Sequence, residues 1–285
     1  VSISGLSLPD NLEMIDRMFQ NPANISAIEL NLACPNIPGK PVISNDFEQM
    51  ENVLKTITEH PQYGSIPLGV KLAPYFDMPF FERAASIVAK FPIRYVVCIN
   101  TIGNALFVDA DNECEAIAPK NGLGGLGGGF VKHTALANVR TMTTLLAAQG
   151  RQDIDIVGVG GVQTGRDAFE LILCGATAVQ VGTCHWTEGP ACFARIAQEL
   201  RAIMKDKGYK TIEDFRGKLK PYTKPARAPK SSDAGGNDDS EEQDKLKGDT
   251  VPWKQLAIAA YLLLLAILIQ YGMEKWKAYQ LRDGY

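Results

Sequence analysis

The chain is short of metal-binding residues and has no marked excess of charge of either sign. Its 285 residues include three histidines and six cysteines, and the formal net charge is −3. No two cysteines form a C-x-x-C pair, so the pattern of a zinc site is absent and no metal is expected. The near-neutral charge gives no sign of a basic patch, which argues against nucleic acid as a partner. These absences leave a globular protein whose 46 % apolar content can fill a large core.

The start of the sequence also lacks something. There is no initiator methionine and no signal or transit peptide, and the first residues, VSISG, already have the composition of a strand. We therefore expect an upstream segment or another chain to complete the fold.

A change in composition divides the chain into parts. Residues 1–222 have the pattern of a globular domain, whereas residues 223–250 are polar, charged and poor in aliphatic side chains, which predicts a disordered linker. Residues 251–276 contain an uncharged apolar run flanked by tryptophan and lysine, which predicts one transmembrane helix. A short tail follows at 277–285. This organisation predicts a single-pass C-terminal membrane anchor, with the mitochondrial inner membrane as the expected location.

Strands and helices alternate through the globular part. The strand candidates are Val1–Ser4, Ala27–Leu32, Leu68–Leu72, Tyr95–Ile99, Ile154–Gly158 and Ala178–Gly182. The helical stretches include residues 47–57, residues 80–91, the segment after a capping box of Thr164 and Asp167, and residues 190–207. Repeated strand–helix units predict an α/β protein with a parallel sheet.

Two α/β architectures fit this alternation, an open doubly wound sheet and a (β/α)₈ TIM barrel. Glycine-rich segments, VGVGGVQTG and QVGT, follow or end the last two strands. In barrels, phosphate sites are commonly built from the loops after strands seven and eight. We therefore predict a barrel in which these are strands seven and eight. Val1–Ser4 is then the third strand, and the first two strand–helix units are missing from this chain.

The segment GLGGLGG at residues 122–128 has the form of the G-x-G-x-x-G pattern. We do not predict a dinucleotide site, because the match does not lie between a strand and a helix. A flexible loop that covers a phosphate or a ring is expected, and a surface turn is the alternative.

Chemistry in an α/β barrel takes place at the carboxyl ends of the strands. The residues at these ends are Asn31, Cys34, Lys71, Asn100, Thr101, Gly160, Gly161, Gly182 and Thr183. Asparagines offer donors and acceptors, and glycines let backbone amides approach an anion, so the set suits a planar ligand beside a phosphate. Cys34 is suited to act as a base, and Lys71 to stabilise negative charge on a bound ring. With no histidine or carboxylate at a strand end, a nucleophilic Cys–His pair is not expected.

Longer motifs resemble those of one known family. They are ELNLACPNIPGKP, GVKLAPYFD, NTIGNALFVDA, GLGGLGG, TALANV, GVGGVQTGRDAFELILCGATAVQVGT and KGYKTIEDFRGKLK. From Val1 to about Tyr222 the sequence resembles class 1A dihydroorotate dehydrogenase, the soluble, fumarate-linked type. The resemblance implies an FMN-containing barrel, an oxidoreductase that converts dihydroorotate to orotate in pyrimidine biosynthesis.

The resemblance also implies a role for each site residue. Cys34 is the implied base that removes the C5 proton of dihydroorotate, while the C6 hydride passes to N5 of FMN. The implied substrate-binding residues are Asn31, Asn36, Asn100 and Thr101. The implied FMN-binding residues are Asn31, Lys71, Ile99, Gly128, Val159, Gly160, Gly161, Gly182 and Thr183.

Some features depart from this family. Its members usually have Ser where Ala33 stands, so a hydroxyl that assists proton removal is absent. The soluble family also has no C-terminal linker and transmembrane helix. Two functions are therefore open at this point: a membrane-tethered dihydroorotate dehydrogenase, or a weakly active or inactive subunit, derived from such an enzyme, of a larger mitochondrial membrane complex.

Overall fold

The computed structural model describes residues 1–20, 24–33, 42–61, 63–64, 66–118 and 121–223. Two predicted site residues, Cys34 and Asn36, lie outside these ranges. So do the predicted transmembrane helix and all but the first residue of the predicted linker. In the part of the chain that is described, no helix is both long enough and apolar enough to cross a membrane.

A six-stranded parallel sheet forms the centre of the fold. In spatial order its strands are β1 (Ser2–Ile3), β2 (Ile28–Asn31), β3 (Leu68–Leu72), β4 (Tyr95–Cys98), β9 (Asp155–Val159) and β10 (Ala178–Gln180). The six predicted strands are confirmed, because each coincides with a strand of this sheet. Their nearly continuous apolar composition is typical of parallel strands covered on both faces. Among the described residues β1 and β10 are edge strands that do not pair with each other, so the sheet is open there.

Helices connect and cover these strands. They are α1 (Leu8–Gln20), α2 (Phe47–Thr58), α3 (Met78–Ala89), α4 (Lys132–Ala148), α5 (Gly165–Leu173), α6 (Thr183–Glu188) and α7 (Ala191–Asp206). The predicted capping box is present at the start of α5, where Thr164 and Asp167 bond each other's backbone amides. The spacing of apolar residues in α2 predicts a buried stripe of Phe47, Met50, Val53, Leu54 and Ile57. The last four are buried and Phe47 is partly buried. Three helices, α1, α4 and α6, were not predicted.

Two antiparallel ribbons interrupt the strand–helix alternation after β4. In the first, β5 (Ile102–Leu106) pairs with β8 (Leu123–Leu126), and in the second, β6 (Val108–Asp109) pairs with β7 (Cys114–Glu115). The expectation of a flexible loop at residues 122–128 is therefore wrong, because the middle of that segment is strand β8. Glycine is needed here for close approach: a Cβ atom on Gly125 would lie 2.2 Å from the Thr101 hydroxyl.

Candidate active site

A cavity opens at the carboxyl end of the parallel sheet, with about 600 Å³ of empty space that includes some open solvent. Most of the predicted site residues line it: Lys71, Ile99, Asn100, Thr101, Gly128, Val159, Gly160, Gly161, Gly182 and Thr183. They come from the ends of β3, β4, β9 and β10 and from the residues that follow β8. The carboxyl ends of parallel strands meet at one edge of a sheet, which is why residues so distant in sequence share this cavity.

Glycines hold the β9–α5 loop close to helix α4. Gly160 and Gly161 have φ angles of +132° and +74°, which side-chain-bearing residues rarely adopt. A Cβ atom on Gly160 would lie 2.8 Å from the Cβ of Ala135, and one on Gly161 would lie 2.7 Å from the Cβ of Lys132. Only glycine allows this approach, which leaves backbone instead of side chain at the cavity wall.

The second wall of the cavity is the turn from β10 into α6. Gly182 is the residue before this short helix, and no side chain in the described part of the chain caps the helix at that point. The first amides of a helix have no partner within the helix. Among the described residues, a Cβ atom on Gly182 would meet nothing within 4 Å, so the backbone there is not covered by them. Together with Gly160 and Gly161, these groups fit a phosphate, because they combine accessible backbone amides with the absence of covering side chains. We call Gly160, Gly161, Gly182 and Thr183 the phosphate cradle.

An asparagine pair holds the start of the segment that carries Cys34. The Asn31 Oδ1 atom accepts hydrogen bonds from the backbone amide of Ala33 and from Asn100 Nδ2, both at 3.0 Å. The Asn100 Nδ2 group also donates to the Ala33 carbonyl at 2.9 Å, and its Oδ1 accepts from the Thr101 amide at 2.8 Å. Ala33, immediately before Cys34, is thus bound through both backbone groups.

The comparisons with known proteins agree with this geometry. The sequence profile described as dihydroorotate dehydrogenase matches residues 1–204. The chain belongs to the dihydroorotate dehydrogenase family. The chain is 50 % identical over 220 residues to dihydroorotate dehydrogenase A (fumarate) of Lactococcus lactis subsp. lactis, with 77 % of this chain and 68 % of the relative covered. It is 48 % identical over 221 residues to dihydroorotate dehydrogenase (fumarate) of Kluyveromyces lactis, with 77 % and 67 % covered.

The predicted location in a mitochondrial membrane is wrong. The dihydroorotate dehydrogenases of L. lactis and K. lactis are both named as the fumarate type. That is the type which the motifs indicate. The prediction depended on the uncharged run at residues 251–276, its flanking tryptophan and lysine residues and the polar linker before it, and on no feature of the dehydrogenase fold. The comparisons likewise give no support for a subunit of a mitochondrial complex, and the predicted domain boundaries stay predictions.

Lys71 places a positively charged side chain at the wall of this cavity. It lies at the end of β3, in register with Asn31 on β2, and lines the cavity. Within the described residues its ammonium group has no carboxylate within ion-pair distance. Its charge is therefore available to a bound anionic ring.

Beneath the cavity, a buried carboxylate joins the two edges of the sheet, and the sequence reasoning missed it. Glu29 on β2 is 6 % exposed, and its oxygens accept from Ser2 Oγ at 2.9 Å and from Gln180 Nε2 at 2.6 Å. Gln180 lines the cavity. Burial, and then the charge of Glu29, raise the pKa of Tyr95 to about 12. A signal was present, since Glu29 is a charged residue between the apolar Ile28 and Leu30 of a strand, and buried charges need partners.

Proposed function

We propose that this chain catalyses the FMN-dependent oxidation of dihydroorotate to orotate, a step of pyrimidine biosynthesis. One observation carries the proposal: a single cavity is lined by the phosphate cradle and by Asn100, which is hydrogen-bonded to Asn31 and to the Ala33 carbonyl. The 50 % identity to an enzyme named dihydroorotate dehydrogenase A supports the choice of substrate. The six parallel strands correspond to six of the eight strands of a (β/α)₈ barrel, with β9 and β10 as strands seven and eight.

FMN, when bound, would supply the acceptor for a hydride. The phosphate cradle and Gly128 would hold its phosphate and ribityl chain, because backbone amides and the Thr183 hydroxyl are good donors to phosphate oxygens. Lys71, Ile99, Val159 and Asn31 would contact the flavin ring. The positive charge of Lys71 would stabilise negative charge on the ring.

The substrate would lie beside the asparagines. Dihydroorotate has a cyclic ring with several amide donors and acceptors, and Asn31, Asn36, Asn100 and Thr101 offer complementary groups. The thiolate of Cys34 would remove the C5 proton, and the C5–H electron pair would form the C5=C6 double bond as hydride leaves C6. The two hydrogens and two electrons lost by the substrate are then all accounted for, one proton on Cys34 and one hydride on the flavin.

Fumarate is the electron acceptor that we propose for the second half-reaction. The support is that relatives from a bacterium, L. lactis, and a yeast, K. lactis, both have fumarate in their names.

The experiment follows the flavin absorbance of the full-length chain under anaerobic conditions. We expect the purified protein to bind FMN, dihydroorotate to bleach it, and fumarate to restore it faster than a soluble quinone does. Bound flavin that dihydroorotate fails to bleach would contradict the proposed oxidation. Recovery with quinone but not with fumarate would contradict only the proposed acceptor.

A further inference from the structure

Arg195, on helix α7, is outside the set predicted from the sequence. Its Nη2 atom donates to both carboxylate oxygens of Glu188, at 2.7 and 2.8 Å, and its Nη1 atom donates to Glu199 Oε1 at 2.8 Å. Nη2 also donates to the backbone carbonyl of Gln163 at 3.0 Å. One guanidinium group thus links its own helix, through Glu199, to two other segments, which its planar fork of donors permits.

Two of these contacts, with Gln163 and Glu188, hold segments that belong to the cavity wall. Gln163 lies in the β9–α5 loop, two residues after Gly161, and lines the cavity. Glu188 is the last residue of α6, the helix that begins at Thr183. Arg195 therefore ties together the two backbone segments that form the phosphate cradle.

A second bond extends this connection to α5. The Oε2 atom of Glu199 accepts from the backbone amide of Gly165 at 2.7 Å, and Gly165 is the first residue of α5. The backbone contact is tight, because a Cβ atom on Gly165 would lie 2.3 Å from the amide nitrogen of Leu200 on α7. The loop that contains Gly160 and Gly161 therefore packs against α4 at its start. At its end it is bonded to Arg195 and Glu199 of α7.

Cys184 lies inside the same network. Its thiol is buried, donates to Glu188 Oε1 at 3.3 Å and lies 3.5 Å from Arg195 Nη2. Cys184 also lines the cavity directly after Thr183. Through Cys184, the ion pair of Arg195 and Glu188 also contacts the first turn of α6.

We propose that Arg195 is a positioning residue for phosphate recognition, holding the β9–α5 loop and the start of α6 at the separation that a phosphate monoester requires. The proposal rests on the proposed function, since it takes FMN as the ligand of the cradle. The Arg195 side chain is 37 % exposed, and partly exposed ion pairs contribute little to global stability. Its loss should therefore alter ligand affinity much more than folding.

The test compares two flavins that differ only in the phosphate. FMN and riboflavin are titrated into the full-length parent and the Arg195→Gln variant, with flavin fluorescence as the readout. We expect FMN to bind about tenfold more weakly to the variant, by analogy with the loss of other supporting residues. Riboflavin affinity and the thermal unfolding of the flavin-free protein should change little.

Two further variants sharpen the comparison. Arg195→Lys keeps the charge but not the fork, so a smaller loss of FMN affinity in the same direction is expected. Lys90→Gln is the matched control: Lys90 pairs with Glu51 of α2 at 2.7 Å and is similarly exposed, but it lies outside the cavity lining. This control should leave both affinities unchanged.

The possible results separate the two proposals. Equal losses for FMN and riboflavin, or an unchanged FMN affinity, would overturn the role of Arg195. Failure of the parent chain to bind FMN would instead overturn the proposed function, and this inference with it. If Arg195→Gln does not fold, the FMN-to-riboflavin affinity ratio of Arg195→Lys decides.

Discussion

Replacing Gly161 by alanine tests whether the phosphate cradle depends on backbone that only glycine can provide. The φ angle of Gly161 is +74°, and an added Cβ would lie 2.7 Å from the Cβ of Lys132, 3.1 Å from its Cα and 3.2 Å from the carbonyl oxygen of Gly128. Two of these three neighbours are backbone atoms and cannot rotate away. The loop must therefore move when the methyl group is added.

A second glycine separates the two costs of this substitution. Gly208, after α7, has the same φ of +74°, and a Cβ there would meet nothing within 4 Å. The left-handed backbone alone costs a residue with a Cβ about 1–2 kcal/mol, which both variants should show. Overpacking adds about 1–3 kcal/mol at Gly161 only. Gly161→Ala should therefore lower the free energy of unfolding by about 2–5 kcal/mol, and Gly208→Ala by about 1–2 kcal/mol.

Urea unfolding of the flavin-free proteins measures these differences, and an FMN titration measures the effect on the cradle. FMN affinity should fall in Gly161→Ala and stay at the parent value in Gly208→Ala, since Gly208 is not in the cavity lining. Equal destabilisation by the two substitutions would refute the argument from close approach. Parent-like FMN affinity in Gly161→Ala would refute the place of Gly161 in the cradle.

Three further predictions concern the reaction and pH. Cys34→Ala should keep FMN but slow its bleaching by dihydroorotate by about 10²–10⁴-fold, measured by stopped flow; unchanged bleaching would exclude Cys34 as the base. Ala33→Ser should speed the same step by adding a hydroxyl next to the base, and an unchanged rate would mean that another group assists proton removal. Burial opposes ionisation of Asp167, but its hydrogen bonds, first from Lys132, outweigh it and lower its pKa. A lowered folded pKa gives stability that is present above the unfolded value of about 3.9 and lost as the pH falls below it. Asp167→Asn should thus lose less unfolding free energy than the parent between about pH 6 and about pH 3; parallel acid losses in urea unfolding would contradict this.

Composition and periodicity predicted the sheet and part of the helical layer. The six strands were recognisable because parallel strands buried on both faces are short apolar runs. Helix α4 was not, because its buried face contains a polar residue, Asn138. That side chain is 1 % exposed and exchanges hydrogen bonds with the backbone amide and carbonyl of Tyr75. An asparagine with a fixed partner far away in sequence interrupts the apolar stripe by which a helix is recognised.

The candidate site was also predictable only in part. The residues that end strands could be predicted, since topology alone brings the ends of parallel strands together. Arg195 could not, because its contact with Gln163 crosses 32 residues and depends on how α7 packs beside α5 and α6. Residues 122–128 were predicted to be a loop, although β8 lies within them, for a related reason. Glycine suggests a loop by propensity, but at Gly125 it is required by the approach of the Thr101 side chain.

The hydrogen bonds also distinguish two asparagines that are alike in sequence. Both Asn100 Nδ2 protons are directed to protein acceptors, Asn31 Oδ1 and the Ala33 carbonyl, and its Oδ1 accepts from Thr101. Asn31 uses its Oδ1 twice, and its Nδ2 group has no partner among the described residues. An amide nitrogen has two protons to donate, so Asn31 offers donors to a ligand while Asn100 mainly fixes Asn31 and Ala33. The two residues therefore differ in what they hold: Asn100 fixes the backbone of Ala33 and the side chain of Asn31, whereas the Nδ2 group of Asn31 is not used by any of the described residues.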